Sequence, residues 1–419
     1  MSDATAASPR PLTFREVLGL VVMRRVWYAQ LVSVLGDFLA LFAVIAVVTY
    51  RMHGTAGQVT GVQIAYMLPF AVISPLSGVF VDRWPVKPTL VSSDLIRAGL
   101  VGLLFLSTSL WQIDLVFCAL GCVSTFFGPA QTVTIRSHVP PHGLIAANAL
   151  MQIAMMGMRV IGPALAGALV AAFGPTVCYA FDAFSFVASA ALIGSVAIVR
   201  PAQPAKQAGS GNRVSAILHE MGEGMRFIFH HAALSFVVLA MAAGLFTIGC
   251  FGPLIAIYVR EWLHASAAVF GIVSAMIGIG MMLGTPAVRR LSARLSDTTL
   301  VLGGLAGIGV GALVLGAFPY VGATMAATFT LGFTFAGIIV PAQTLMQRET
   351  PHALMGRISS TVMSIVFLAQ LLGLILSGGL AEILGVRAVF LLCAALAWVL
   401  TAAGRLLLTR SRSPAASYQ

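Results

Sequence analysis

The sequence predicts an all-α membrane protein with twelve transmembrane helices in two six-helix bundles. Three observations favour this fold: the mean hydropathy is +0.98, only 9% of the 419 residues are charged, and twelve apolar stretches are long enough to cross a bilayer. Soluble globular proteins carry charge on roughly 25% of their residues. A soluble fold of this length would lack a polar surface, so the chain must face lipid over most of its area.

The twelve spans are placed by length, because a helix needs about 20 residues to cross the hydrocarbon layer. Before the first span, Thr13–Glu16 fits a capping box and predicts a short amphipathic helix on the cytoplasmic surface. The predicted spans are 26–50, 56–81, 89–110, 112–135, 145–172 and 175–199 in the first half, and 233–259, 267–288, 298–318, 321–346, 358–383 and 387–408 in the second.

Basic residues are unevenly distributed among the connections. With the N-terminus inside, nineteen of the 24 Lys and Arg residues lie in cytoplasmic segments, three lie in outside loops and two lie within spans. This asymmetry predicts a multi-pass protein of the inner membrane with both termini cytoplasmic. It also accounts for the formal net charge of +11 without a nucleic-acid partner.

An internal duplication supports six plus six helices. Gly128-Pro-Ala-Gln-Thr near the end of span 4 and Val340-Pro-Ala-Gln-Thr near the end of span 10 are each followed by an arginine, Arg136 or Arg348, seven residues after the proline. Transporters with a midplane site between two halves are built from such repeats. The predicted segments are a cytoplasmic N-terminal segment with an amphipathic helix at 1–25, a first bundle at 26–199, a cytoplasmic linker with an amphipathic helix at 200–231, a second bundle at 232–409 and a cytoplasmic tail at 410–419.

Two motifs resemble those of the major facilitator superfamily. The loop between spans 2 and 3 reads Gly78-Val-Phe-Val-Asp82-Arg83-Trp-Pro-Val-Lys87, similar to the family's Gly-x-x-x-Asp-Arg/Lys-x-Gly-Arg-Arg/Lys. It departs where a proline replaces the second glycine and a valine the first basic residue of the closing pair. Span 5 contains Gly162-Pro163-Ala-Leu-Ala-Gly167, which resembles the antiporter motif Gly-Pro-x-x-Gly-Gly with one alanine for glycine.

Smaller features resemble one branch of that superfamily. Gly36-Asp37, Ser93-Asp94-Leu-Ile-Arg97 and Ala147-Asn148-Ala149-Leu150 are similar to the drug:proton antiporter group that contains macrolide and siderophore exporters. The resemblance implies a monomeric secondary transporter that exports a small amphipathic organic compound in exchange for protons by alternating access. A lysophospholipid or other lipid flippase of the same fold is the alternative.

Ionisable residues inside spans are the candidates for coupling, because each costs roughly 2.5–3.5 kcal/mol on insertion scales. Asp37 lies near the middle of span 1 and Arg159 at a similar depth in span 5. Asp37 is interpreted as the proton-coupling residue, with a permanent structural ion pair as the alternative. Since spans 1 and 5 are neighbours in the family, we expect Asp37 and Arg159 to pair.

Gating residues are implied by the resemblance. Asp94 and Arg97 lie three apart in the inner third of span 3, and the expected role is a cytoplasmic charge network that latches the two halves. In that latch, Asp82 would accept hydrogen bonds from the amino end of span 11. The expected gating set is Gly78, Asp82, Arg83, Lys87, Asp94, Arg97 and Arg136.

Other functions are excluded by what the sequence lacks. Neither of its lysines, Lys87 and Lys206, follows a glycine, so there is no phosphate-binding loop of an ATP-driven pump, and His219-Glu220-Met-Gly-Glu223 lacks the second histidine of a zinc motif. We therefore predict no enzyme activity, no cofactor and no metal; the expected partners are a small-molecule substrate, protons and membrane lipid. Asp182, in the outer part of span 6, is interpreted as one member of a structural pair, with a role in coupling as the alternative.

Overall fold

The computed structural model describes residues 10–81, 84–198, 222–223, 225–350 and 355–410, and these residues form helices and connections without a strand. One short helix is followed by twelve long ones. They are α1 (Phe14–Gly19), α2 (Val21–Ala46), α3 (Ala56–Val81), α4 (Val86–Leu103), α5 (Leu110–His138), α6 (Leu144–Phe173), α7 (Pro175–Gly194), α8 (Ala232–Glu261), α9 (Ala267–Leu291), α10 (Asp297–Ala317), α11 (Val321–Glu349), α12 (Met355–Leu384) and α13 (Val386–Arg410).

The twelve long helices correspond to the twelve predicted spans, so the predicted fold class is confirmed. Within the described residues, eleven are long and apolar enough to cross a membrane. The twelfth, α4, carries Lys87, Asp94 and Arg97 within its 18 residues. The predicted end of span 3, at residue 110, was wrong, because α4 ends at Leu103. A turn follows, and the side chain of Gln112 accepts hydrogen bonds from the backbone N–H groups of Thr108 and Ser109 in it.

The repeated segments occupy equivalent places in the helix order. Pro129 lies inside α5, the fourth long helix, and Pro341 lies inside α11, the tenth. Arg136 and Arg348 fall in the last turns of these two helices, as their shared spacing predicts. The last residues of the second copy, 351–354, lie outside the described residues.

The capping box that begins α1 is confirmed. The backbone N–H of Glu16 donates to Thr13 Oγ1 at 3.4 Å, and the backbone N–H of Thr13 donates to Glu16 Oε2 at 2.8 Å. Hydrogen bonds from Thr13 hold the pKa of the Glu16 carboxyl below its usual value. Val17 then packs in a buried cluster with Met23 and Ile135, which ties α1 to α2 and α5.

The described chain divides into two compact units. The first contains residues up to Val44 and from Ala65 to the end of the described segment at 198; the second contains Ile45–Ile64 and the residues from 222 onward. The predicted bundles and linker remain predictions, because most of 200–231 lies outside the described residues.

In the first unit, α4 packs against α5 and α7, and α6 packs against α7. A buried apolar cluster joins these helices to α2, with Ala29, Leu90, Phe127 and Ile193 among its members. The indole N–H of Trp27 donates to the carbonyl of Leu150 at 3.0 Å, which fixes α2 to α6. These contacts hold the first third of α2 beside α6 and α7.

In the second unit, α9, α10 and α11 pack through glycine. A Cβ on Gly332 would clash with the backbone of Ile277, and one on Gly280 would clash with the carbonyl of Phe329. Small residues at such contacts let backbones approach closely, which is how helices associate in a membrane. The ends of α2 and α3 also belong to this unit.

The segment Ile45–Ile64 is held by two charged side chains. Arg260 of α8 donates to the backbone carbonyls of Thr49 and, at 3.2 Å, Gly54. Glu382 of α12 accepts from the Thr55 hydroxyl at 2.6 Å and from the Gly57 N–H at 3.2 Å. The last five residues of the first span, Val47–Arg51, form a π-helix, so the helix is underwound and wider where it enters this unit.

We predict that Gly332→Ala lowers the free energy of unfolding by about 1–3 kcal/mol, the usual cost of overpacking, because its methyl group would meet the backbone of α9. Gly322→Ala in the same helix is the matched control, since nothing lies within 4 Å of its added methyl group. Thermal unfolding in detergent compares the two variants. Equal midpoints would show that α9 and α11 do not depend on this close contact.

Candidate functional site

A cavity of about 160 Å³ lies in the first unit beside the middle of α2. Phe38, Tyr66 and Phe117 form much of its wall, together with aliphatic side chains. Two carboxyl groups reach it: Asp37 of α2 and Asp182 of α7. The cavity therefore combines an apolar, aromatic lining with two acidic groups deep in the spans.

Two glycines bring the neighbouring helices close to α2 at this point. A Cβ on Gly36 would clash with the side chains of Asp182 and Ser185, so α7 approaches α2 there. A Cβ on Gly162 would lie 2.5 Å from the Cβ of Phe38, so α6 approaches α2 on the other side. Asp37 thus lies between the two contacts, and the Gly162 position of the predicted antiporter motif acts here as a helix-packing position.

Asp182 is almost fully buried, with 1% of its surface exposed. The hydroxyl of Ser185 donates to its backbone carbonyl at 2.8 Å and lies 3.3 Å from its carboxyl Oδ1. Within the described part of the chain, no ion pair is made by this carboxyl. The sequence had indicated a structural partner for Asp182, and the structure shows only a serine.

Asp94 and Arg97 form a buried ion pair with each other. Asp94 also accepts a hydrogen bond from the Ser189 hydroxyl of α7 at 2.6 Å. The Arg97 guanidinium lies over the rings of Phe127, at 4.5 Å, and Phe186, at 4.3 Å. Such stacking partly replaces the hydration of the cation.

The position of this pair within its helix differs from the prediction. Asp94 and Arg97 are the ninth and twelfth of the eighteen residues of α4, near its middle rather than in an inner third. The reason is that α4 begins and ends earlier than the predicted span, and α7 covers the pair. Among the described residues, no hydrogen bond or ion pair joins Asp94 or Arg97 to Lys87 or Arg136, so the expected network with these two is not formed.

The other expected gating residues are placed as follows. Gly78 lies in the last turn of α3, Lys87 is the second residue of α4, and Arg136 is exposed in the last turn of α5. Asp82 and Arg83 lie outside the described residues.

Arg159 is part-buried near the middle of α6, one turn from Met155, which lines the cavity. The expected ion pair with Asp37 is absent from the described contacts. Instead, α6 reaches α2 at Gly162 and meets Phe38. Asp37, about 100° further round the helix, faces the cavity, and the charges that act on it are those of α4 and α7.

The remaining members of the antiporter motif, Pro163 and Gly167, are buried in α6, which continues through the proline. A larger cavity, of about 400 Å³, lies at the start of α4 between Trp84 and Phe126, and no acidic or basic side chain lines it. Among the described residues, no cluster of three or more His, Cys, Asp or Glu side chains is arranged to hold a metal ion. Of these two cavities, only the smaller one is lined by acidic side chains.

Comparison with known proteins assigns the chain to a family. Residues 17–417 match the model of the family described as transmembrane secretion effector. An uncharacterised MFS-type transporter of Bacillus subtilis, YfiS, is 29% identical over 92% of each chain. Macrolide efflux protein A of Streptococcus pyogenes is 24% identical over 88% of this chain and 91% of its own.

A solved structure has the same fold. It is the inward-facing, unoccupied form of a bacterial homologue of the human lysosomal transporter Spinster. It superposes with a TM-score of 0.69 at 13% identity and covers 96% of this chain and 99% of its own.

We predict that Arg97→Met lowers the free energy of unfolding by about 3–5 kcal/mol, because it leaves the Asp94 carboxylate buried without its cation. The double variant Asp94→Asn with Arg97→Met should recover most of this loss, since no uncompensated charge remains. Thermal unfolding of the single and double variants gives the coupling free energy. The exposed Arg10–Glu16 pair is the control, and Arg10→Met should leave the midpoint unchanged. Strictly additive effects at Asp94 and Arg97 would contradict the pair.

Proposed function

We propose that this chain, which belongs to the transmembrane secretion effector family of major facilitator transporters, exports a small amphipathic organic compound in exchange for protons. The observation that carries the proposal is the Asp37 carboxyl, which lines an otherwise largely apolar cavity near the middle of the first span. Relatives named as a macrolide efflux protein and a multidrug efflux pump support export as the direction.

Coupling follows from the cost of charge in that cavity. An ionised carboxyl is unfavourable there unless a cation or hydrogen bonds stabilise it, and binding a proton removes that cost. Among the described residues Asp37 has no hydrogen bond or ion pair, so neither protonation state is locked by a neighbour. A substrate that stabilises the ionised form therefore competes with the proton, and this competition is what antiport requires.

The aromatic wall suits the proposed substrate class. Phe38, Tyr66 and Phe117 offer large flat apolar surfaces, and Met155 adds a flexible thioether that adapts to different shapes. A compound with an apolar body and one polar or cationic group would place the body on these side chains and the polar group at the carboxyls. We propose that both termini are cytoplasmic. We also propose that the proton moves inward as the compound moves out.

The test uses inverted membrane vesicles that contain the protein and carry an imposed pH gradient. We expect erythromycin or ethidium to dissipate the gradient faster than in vesicles without the protein. A response to neither compound would overturn export of this class. A response to lysophosphatidylethanolamine alone would overturn it in favour of the lipid-flippase alternative.

We predict that Asp37→Asn abolishes this gradient-driven transport while the protein remains folded, because asparagine keeps the shape of the side chain but binds no proton. Asp114→Asn is the matched control: Asp114 is also a carboxyl within a span, on α5, but does not line the cavity. Initial rates of gradient dissipation compare the variants. If Asp37→Asn transports at the wild-type rate with the same pH dependence, Asp37 is not the coupling residue.

We also propose that Asp82, with Gly78, Arg83 and Lys87 of the signature loop, stabilises the outward-open state on the cytoplasmic side. Asp82→Ala should then shift the protein toward inward-open by about 1–3 kcal/mol, the value of hydrogen bonds to a charged group. Distances between spin labels on the loops at 82–85 and 350–354 measure the shift. An unchanged distance distribution would remove Asp82 from the gate.

A further inference from the structure

We infer that Asp182 is a second proton-binding residue and that it titrates together with Asp37 as one carboxyl pair. This inference rests on the proposed function, since it assigns a second residue to the proposed proton site. The two carboxyls come from α2 and α7 and line the same cavity of about 160 Å³. Neither makes an ion pair among the described residues.

The close contact at Gly36 brings the two carboxyls together. The Asp182 side chain lies where a Cβ on Gly36 would be, and Gly36 is the residue directly before Asp37. The Asp182 carboxyl therefore lies against the turn of α2 that carries Asp37, and both residues line the same cavity. In a low-dielectric setting two neighbouring carboxylates do not both remain ionised, so we expect the pair to hold a shared proton.

The ionisable groups around the pair of Asp37 and Asp182 come from three helices. They are Tyr66 of α3, Asp94 and Arg97 of α4, and Cys178 on α7 itself. Arg97 is the only cation among them, and it already forms an ion pair with Asp94. One guanidinium therefore serves three acidic side chains. Its direct ion pair neutralises the charge of Asp94, and Asp37 and Asp182 have no ion pair of their own among the described residues.

Asp94 and Asp182 are both buried, but their hydrogen-bond and ion-pair partners differ. Asp94 has a guanidinium partner and a hydroxyl donor at 2.6 Å, which is what an ionised carboxylate needs inside a membrane. Asp182 is just as deeply buried but has only the Ser185 hydroxyl, at 3.3 Å and also engaged with a backbone carbonyl. One weak donor does not stabilise a buried charge, so Asp182 binds a proton readily.

The cavity provides the route for exchange of that proton. A water molecule needs only about 10–15 Å³ of accessible space and two to four polar partners. The cavity has room for several, and the carboxyls of Asp37 and Asp182 with the Tyr66 hydroxyl supply the partners. The proton enters from one side of the membrane, resides on the pair, and leaves to the other side when substrate binds at Asp37.

The experiment is an infrared pH titration of the purified protein in lipid, which needs no substrate. The carbonyl stretch of protonated carboxyl groups reports the pair directly. We expect Asp37→Asn and Asp182→Asn each to remove part of the protonated-carboxyl signal. In each variant the pH midpoint of the remaining part should move by about one unit or more, the interaction that defines coupled sites.

Two further variants complete the design. Asp182→Glu keeps a titratable group in the same place and should retain a coupled signal, whereas Asp114→Asn, whose carboxyl lies outside the cavity, should leave the midpoint of the pair unchanged. Thermal unfolding of each variant shows whether it is folded. If Asp182→Asn is folded and the Asp37 midpoint does not move, Asp182 is structural and the inference is overturned.

The outcome is distinct from that of the transport test. Coupled titration with normal transport by Asp37→Asn would overturn the proposed function while leaving the carboxyl pair intact. Loss of transport in Asp37→Asn with no coupling to Asp182 would retain the proposed function and remove Asp182 from the proton site.

Discussion

Charge inside a membrane span must be neutralised by a partner, by hydrogen bonds or by a proton, and the first unit contains examples of different solutions. Asp94 has a cation, Arg97, whose guanidinium is in turn covered by Phe127 and Phe186. Asp37 and Asp182 have no such cation and meet at a cavity instead. This difference separates Asp94, which anchors α4 to α7, from the two acids that we propose to bind protons.

Helix packing decides which acids meet. The lipid offers no hydrophobic drive between helices, so close contact depends on small side chains. Gly36 admits the Asp182 side chain and Gly162 admits Phe38, and both contacts flank the same residue of α2. A larger residue at Gly36 would separate α2 from α7, and with them the two carboxyls, whereas one at Gly162 would separate α2 from α6. The same small residues therefore determine both how α2 packs and which acidic side chains line the cavity.

Much of the fold was predictable because membrane spans leave strong signals in length and hydropathy, and the twelve predicted stretches correspond to twelve helices. The boundary error at α4 arose where charges interrupt the apolar pattern, and it misplaced Asp94 and Arg97 along their helix. The site was harder to predict, because hydropathy shows which residues are buried but not which helices touch. Asp37 was predicted to be the proton-coupling residue from its position in one span. Its place beside Asp182 at the cavity, however, depends on contacts between α2 and α7.

For Arg159, the sequence predicted a contact that the described residues do not show. Its depth matches that of Asp37, and the two opposite charges favour a pair on grounds of cost alone, yet no ion pair joins them in this arrangement. Depth places a residue along the membrane normal, while pairing also requires that two helix faces be turned toward each other. On α6 the residue in close contact with α2 is Gly162, three residues further along, and its neighbour there is Phe38 rather than Asp37. The place on α2 that α6 approaches is therefore apolar, and the carboxyl of Asp37 instead lines the cavity with that of Asp182.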